Sequence, residues 1–130
     1  MQISKTTVDG VLILEPKIFE DSRGYFFESY NQKKFNLANS QDYRFVQDNQ
    51  SISSRGTLRG IHFQMEPMAQ AKIVQVLEGE IYDVAVDLRK DSKTYCQWVS
   101  VKLSSSNHYQ LFIPEGFGHA FLTMSHTAKI

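Results

Sequence analysis

Only one cysteine, Cys96, occurs in the 130 residues, and neither charge is in surplus: 14 lysines and arginines meet 14 aspartates and glutamates. A lone cysteine excludes an internal disulfide and a cysteine-based zinc site. Cys96 itself reads as a small apolar filler in a strand. Formal neutrality argues against the broad electropositive face that nucleic acids require, but it leaves room for a local basic pocket around one phosphorylated ligand. No apolar run approaches the ~18 residues of a membrane span. The opening MQISKTTVDG has no apolar stretch of the kind found in a secretory leader. No repeat, low-complexity tract or Pro/Gly/Ser-rich linker divides the chain. The expectation is one soluble, cytoplasmic domain over residues 1–130, long enough to bury a core without a disulfide or a structural metal.

What is present is β-favouring nearly throughout. VLIL (residues 11–14) follows the turn signal Asp9-Gly10, and GYFFESY (24–30) is rich in aromatics. KKFNLANS (33–40) is the best helix candidate. AKIVQVLEGEIYDVAVDL (71–88) breaks at Glu78-Gly79 and predicts a hairpin. In its second half Tyr82, Val84, Val86 and Leu88 face one way, and Asp83, Ala85 and Asp87 the other. Two acids on one face predict a solvated surface or a wet cavity. Val99, Val101 and Leu103 share a face of the next strand. Two more strands lie either side of Pro114-Glu115-Gly116. Short strands at near-regular spacing predict an all-β antiparallel sandwich or barrel, in the form of a jelly roll enclosing a ligand cavity.

Four stretches carry chemistry. LRGIHFQ (58–64) alternates Arg59, Ile61 and Phe63 with Gly60, His62 and Gln64, so His62 and Gln64 share a face opposite Ile61 and Phe63, turned either to solvent or to a cavity at the barrel mouth. Taken alone, that strand favours a histidine held by structural hydrogen bonds. QDNQSIS (47–53) concentrates amides, a carboxylate and hydroxyls able to bond sugar hydroxyls or a base edge, though a polar loop serves equally. Lys72 opens an apolar run, either as a solvated edge lysine or as a cation for a developing oxyanion. In PEGFGHAF (114–121) two glycines precede His119, which can meet His62 inside one barrel.

In this order and spacing, FEDSRGYFFESY, FVQDNQSISSRGTLRGIHFQ, AQAKIVQVLEGEIYDVAVDLRKDS, TYCQWVSVKLS and IPEGFGHAF resemble the signature blocks of dTDP-4-dehydrorhamnose 3,5-epimerases, from about residue 8 to 121. The resemblance implies a cupin-type jelly roll, usually dimeric, and an isomerase of dTDP-rhamnose or related deoxysugar biosynthesis. Its substrate would be a dTDP-linked 4-keto-6-deoxyhexose. Protons at C3 and C5 lie α to the C4 ketone; removal gives an enolate, and return on the other face inverts the centre. That chemistry requires a base poised near neutrality, a cation by the oxyanion and an acid opposite. A histidine, with an ordinary pKa of ~6.5, suits the base.

By the same resemblance His62 is the base, Lys72 holds the enolate and His119 contacts substrate. Arg23, Phe26, Glu28, Gln47, Asp48, Asn49 and Arg59 bind the dTDP-sugar, with Arg23 and Arg59 as natural diphosphate partners. No cofactor is implied. The His-x-His pair that carries a metal in many cupins reads His62-Phe63-Gln64 here, so no catalytic metal is expected. The N-terminal strands VLIL and GYFFESY are expected to exchange between the subunits of a homodimer, with residues such as Glu28 reaching the neighbour's pocket. The family also places a donor tyrosine, and an aspartate that orients the base, in a segment beyond the matched blocks. Neither position occurs in this sequence, so a form shortened at its C-terminus is expected, with Asp83 or Asp87 as candidates to orient His62. Two other readings stay open: a dTDP-sugar 3,4-ketoisomerase, and a nucleotide-sugar-binding cupin without activity.

Overall fold

A computed structural model describes all residues, 1–130. The strands are β1 (Gln2–Lys5), β2 (Leu12–Glu15), β3 (Phe19–Asp21), β4 (Gly24–Phe26), β5 (Ile52–Ser54), β6 (Leu58–His62), β7 (Lys72–Gln75), β8 (Glu80–Asp87), β9 (Trp98–Ser104), β10 (Gln110–Ile113), β11 (Phe117–Thr123) and β12 (Thr127–Lys129), with one helix, α1 (Gln32–Asn39), between β4 and β5. Two four-stranded sheets face each other, ordered β1-β2-β10-β7 and β6-β11-β8-β9, and the pairs β3-β4 and β5-β12 sit outside them. This is the expected all-β jelly roll. No helix is long and apolar enough to cross a membrane.

The main core lies between the sheets. Val74, Leu111 and Ile113 from the first, with Val11 just before β2, meet Ile81, Ala85, Leu103, Phe117 and Phe121 from the second. The first sheet is also covered on its outer face, where Leu12, Leu14 and Phe112 pack under Phe35 of α1. Helix α1 starts where the Asn31 side chain accepts from the Lys34 amide at 3.1 Å, and it stops at Ser40, which turns left-handed at φ 55°. Phe35 is fully buried among Tyr30, Tyr43, Phe45 and Phe112. Phe35→Ala removes the anchor between helix and sheet. It should cost about 3–5 kcal/mol, read as an earlier midpoint in chemical denaturation.

Two expectations from the sequence need correction, and a third is narrowed. Glu78-Gly79 does not close a hairpin: β7 pairs with β10 in one sheet, and β8 pairs with β11 and β9 in the other. The glycine makes a crossing between sheets, at φ 83° beside the Thr127 carbonyl, where a side chain would collide. Periodicity cannot distinguish the two cases, because hairpins and crossings both need a glycine turn between strands. Cys96 is exposed in a turn at φ 63°, with its amide bonded to the Asp87 carbonyl at 2.8 Å, and does not fill a strand. The Asp83 and Asp87 face of β8 points inward with both acids fully buried, so of the two settings expected for it the solvated surface is excluded. Each is compensated by a specific partner, which alternation does not reveal.

Candidate functional site

The site is built where β6 and β7, each at the edge of its sheet, leave the sandwich open. On β6 the pairing with β11 slips: His62 faces His119 and Arg59 faces Phe121, so Gly60 and Ile61 together oppose Ala120. This β-bulge overturns the regular alternation expected for LRGIHFQ. Residues directly opposite in an antiparallel pair share a face, so Arg59 and His62 both join the inward face that carries His119 and Phe121. Gly60 is needed for it. Its φ is 121°, and a Cβ there would lie 2.5 Å from that of Ala120. Ile61 turns outward over Gly118, where an added Cβ would come within 2.6 Å of the Ile61 side chain.

Arg59 is held from below: its Nε donates to Ser53 Oγ at 3.0 Å, and Nη2 reaches the Ile52 carbonyl at 3.5 Å. Both partners belong to β5, which follows the exposed Gln47-Asp48-Asn49 stretch directly, where Gln47 Nε2 donates to Asn49 Oδ1 at 2.9 Å. His62 is exposed at the mouth, while the His119 side chain is only 13% exposed.

His119 Nε2 lies 2.7 Å from Asp83 Oδ1 on the neighbouring strand β8. Asp83 therefore orients His119. The expectation that Asp83 or Asp87 orients His62 is not met, because the two acids are committed elsewhere. Asp87 accepts from Arg89 Nε at 2.9 Å, Ser92 Oγ at 2.6 Å and Thr94 Oγ1 at 2.6 Å. Lys72 comes from the facing sheet. Its register partner is Ile113 and it shares the inward face of Val74, so it looks across the sandwich. Burial lowers the Lys72 pKa and is opposed by the Asp83 charge; burial raises the Asp83 pKa and is opposed by His119 and Lys72. Lysine, histidine and carboxylate thus form one electrostatic unit spanning both sheets. No three His, Cys, Asp or Glu side chains gather as a metal-binding set.

Arg23, Phe26 and Glu28 are not part of this cluster within the chain. Arg23 is paired with Asp21 across the β3–β4 turn, Phe26 is 70% exposed, and Glu28 binds Lys34 at 2.8 Å. The hairpin rests on His108 through Tyr25 and Phe27, with ring centroids 4.8 and 5.0 Å away. His108 precedes the first residue of β10, whereas Lys72 pairs with its last, Ile113. The two therefore lie at opposite ends of β10, whose four residues span roughly 10 Å. VLIL is also committed within its own chain, since β2 is paired on both edges, by β1 and β10. Of the N-terminal strands, only the β3–β4 hairpin lies outside the two main sheets.

A jelly roll whose edge strands β6 and β7 carry His62, Arg59 and Lys72 on inner faces, with His119 alongside, has the architecture of the cupin class and a candidate small-molecule site. The family model for dTDP-4-dehydrorhamnose 3,5-epimerase matches residues 5–130, and the chain belongs to this family. The enzyme of that name from Shigella flexneri is 53% identical over 129 residues, covering 99% of this chain and 71% of the relative. The crystal structure of the Elizabethkingia anophelis NUHP1 enzyme superposes with a TM-score of 0.95 at 48% identity, covering 99% of this chain and 70% of that one. A Legionella pneumophila 3,5-epimerase solved with dTDP-4-keto-L-rhamnose gives a TM-score of 0.94 at 46% identity, over 98% of this chain and 68% of that one.

Proposed function

We propose that this chain, as a single jelly-roll domain, epimerises dTDP-4-dehydro-6-deoxyglucose at C3 and C5. The observation that carries the reading is the bulge in β6, which turns Arg59 and His62 onto the inner face that holds His119, opposite Lys72. His62, exposed at the mouth, takes the α-proton, and a proton returned to the same carbon on the opposite face, from solvent in this chain, inverts the centre. Lys72 holds the C4 oxygen as it becomes an enolate, worth most in a site where water is scarce. Its pKa is lowered by burial, which brings the ammonium closer to acting as a proton donor. The neighbouring Asp83 charge works to keep it cationic. Arg59 serves the diphosphate, and Gln47, Asp48 and Asn49 the remaining polar groups of the nucleotide-sugar. His119 contacts the sugar. The reading carries a cytoplasmic setting with it, since the substrate is a nucleotide-activated sugar.

The test is solvent exchange. Incubated with the 4-keto sugar nucleotide in deuterated water, the chain should place label at C3 and C5, followed by NMR. No uptake at either carbon would reject the reading. A ketone moved to C3 in place of inverted centres would mark a ketoisomerase, and tight dTDP binding without label a binding protein.

The same proposal includes a homodimer in which Arg23, Phe26 and Glu28 of the β3–β4 hairpin serve the partner's site. The separation of hairpin and Lys72 along β10 supports this, as do the exposed Phe19, Tyr25 and Phe26. Exposed aromatic clusters of this kind are suited to burial against another surface. Arg23→Ala and His62→Asn should each be inactive alone. Mixed and co-refolded, they should regain activity, because one site of each mixed dimer keeps both residues. Absence of recovery in demonstrated mixed dimers would place the two residues in one subunit's site.

A further inference from the structure

Asp83 and Asp87 occupy equivalent positions on one strand, four residues apart on the same inward face, and both are fully buried. Their surroundings differ. Asp87 is saturated, by Arg89 through Nε and Nη2, by the hydroxyls of Ser92 and Thr94, and by the Arg89 amide at 3.0 Å. Its acceptors serve the turn between β8 and β9. Asp83 has a single hydrogen bond, from His119 to Oδ1, and Oδ2 is buried with no partner. A carboxylate so placed costs stability, and an apolar residue of similar size would generally serve the core better. The charged groups that share its cavity are His119 from β11, Lys72 from β7 and, beyond Phe121, Arg59 from β6. The first two are groups that the proposed chemistry uses.

We infer that Asp83 is a positioning residue of this site, a shared anionic anchor that fixes the His119 ring by a hydrogen bond and draws the Lys72 ammonium, which enters from the facing sheet, by charge. Bonding through Nε2 fixes the ring orientation and, in the neutral imidazole, puts the proton on Nε2. That leaves Nδ1 as the free nitrogen of His119 for the sugar. Lys72 lies on the inward face of the opposite sheet, out of hydrogen-bond contact with the carboxylate, so one buried charge acts by contact on one sheet and through space on the other. The role in turnover rests on the epimerase reading; the anchoring does not.

The experiment therefore has two arms on the whole chain. In the first, without substrate, ¹⁵N NMR reads the His119 tautomer and the Lys72 titration. Asp83→Leu should release the Nε2–H tautomer into a mixture. Both Asp83→Leu and Asp83→Asn should make Lys72 titrate lower than in the parent, while Asp83→Asn, which can still accept from Nε2, keeps the tautomer. In the second arm, deuterium uptake should fall at least about tenfold in kcat for both variants, with KM little changed. An unmoved tautomer in Asp83→Leu, or an unmoved Lys72 titration in either variant, overturns the inference. Should Asp83→Leu fail to fold, Asp83→Asn alone decides through Lys72. If the parent chain shows no exchange, the epimerase reading fails while the NMR arm still judges the anchor.

Discussion

His62→Asn should leave the chain folded and able to bind dTDP, and should lower deuterium uptake from solvent about a thousandfold, within the usual range for loss of a general base. The physical case is that His62 sits exposed on an edge strand, carried to the inner face by the Gly60-Ile61 bulge. An exposed side chain that anchors no core contact can be exchanged for a similar shape at a cost within about 0.5 kcal/mol. A large kinetic loss with an unchanged melting curve would therefore belong to the chemistry. Lys72→Met provides the companion measurement. It removes the cation at the developing oxyanion and should lower kcat about a hundredfold or more, while the freed cavity charge is limited to Asp83. The outcome that sinks the assignment is uptake in His62→Asn within a few-fold of the parent.

Asp87→Asn should instead unfold the protein more easily without acting on substrate. The carboxylate is fully buried, and its Arg89 partner remains 35% exposed. Removing one member of such a pair costs about 3 kcal/mol, which for a chain of this size is a fall in Tm of about 10 °C. Burial by itself would push the Asp87 carboxyl up, but the hydrogen bonds from Arg89, Ser92 and Thr94 hold it well below the usual carboxylate range. Since the folded value is the lower one, the stabilisation is complete above the unfolded pKa of about 4 and fades as pH drops below it. Parent and variant should therefore differ most near neutrality and converge in strong acid. A constant gap between pH 7 and pH 2 would show that the charge is not the source. Arg89 also lies over the Phe117 ring, 4.6 Å from its centroid, and donates to the Asp9 carbonyl at 2.8 Å. The cluster thus ties the turn after β8 to the chain just before β2, away from the reacting groups.

The two acids of β8 illustrate how far a one-dimensional pattern reaches. Alternation correctly put Asp83 and Asp87 on one face together with Ala85, and the strand itself formed as expected. It could not say that this face is the inner one, because the compensating groups come from elsewhere. Ser92 and Thr94 lie in the following turn, and His119 lies on β11. In β6 alternation failed outright. A bulge depends on how the strand is paired, and only the partner β11 reveals that Gly60 and Ile61 share one position.

The sequence by itself determined the strand-rich class, the helix around Phe35, the turn positions and, through its ordered blocks, the family. Those features are local or are properties of the order of residues, so they survive without knowledge of contacts. Tertiary structure alone decided that Glu78-Gly79 crosses between sheets, that Arg59 and His62 share a face, that Asp83 serves His119, and that the Arg23 hairpin stands apart from Lys72. Each depends on which strands lie side by side. Strand pairing is set by burial of the whole core, and no window of neighbouring residues contains that information.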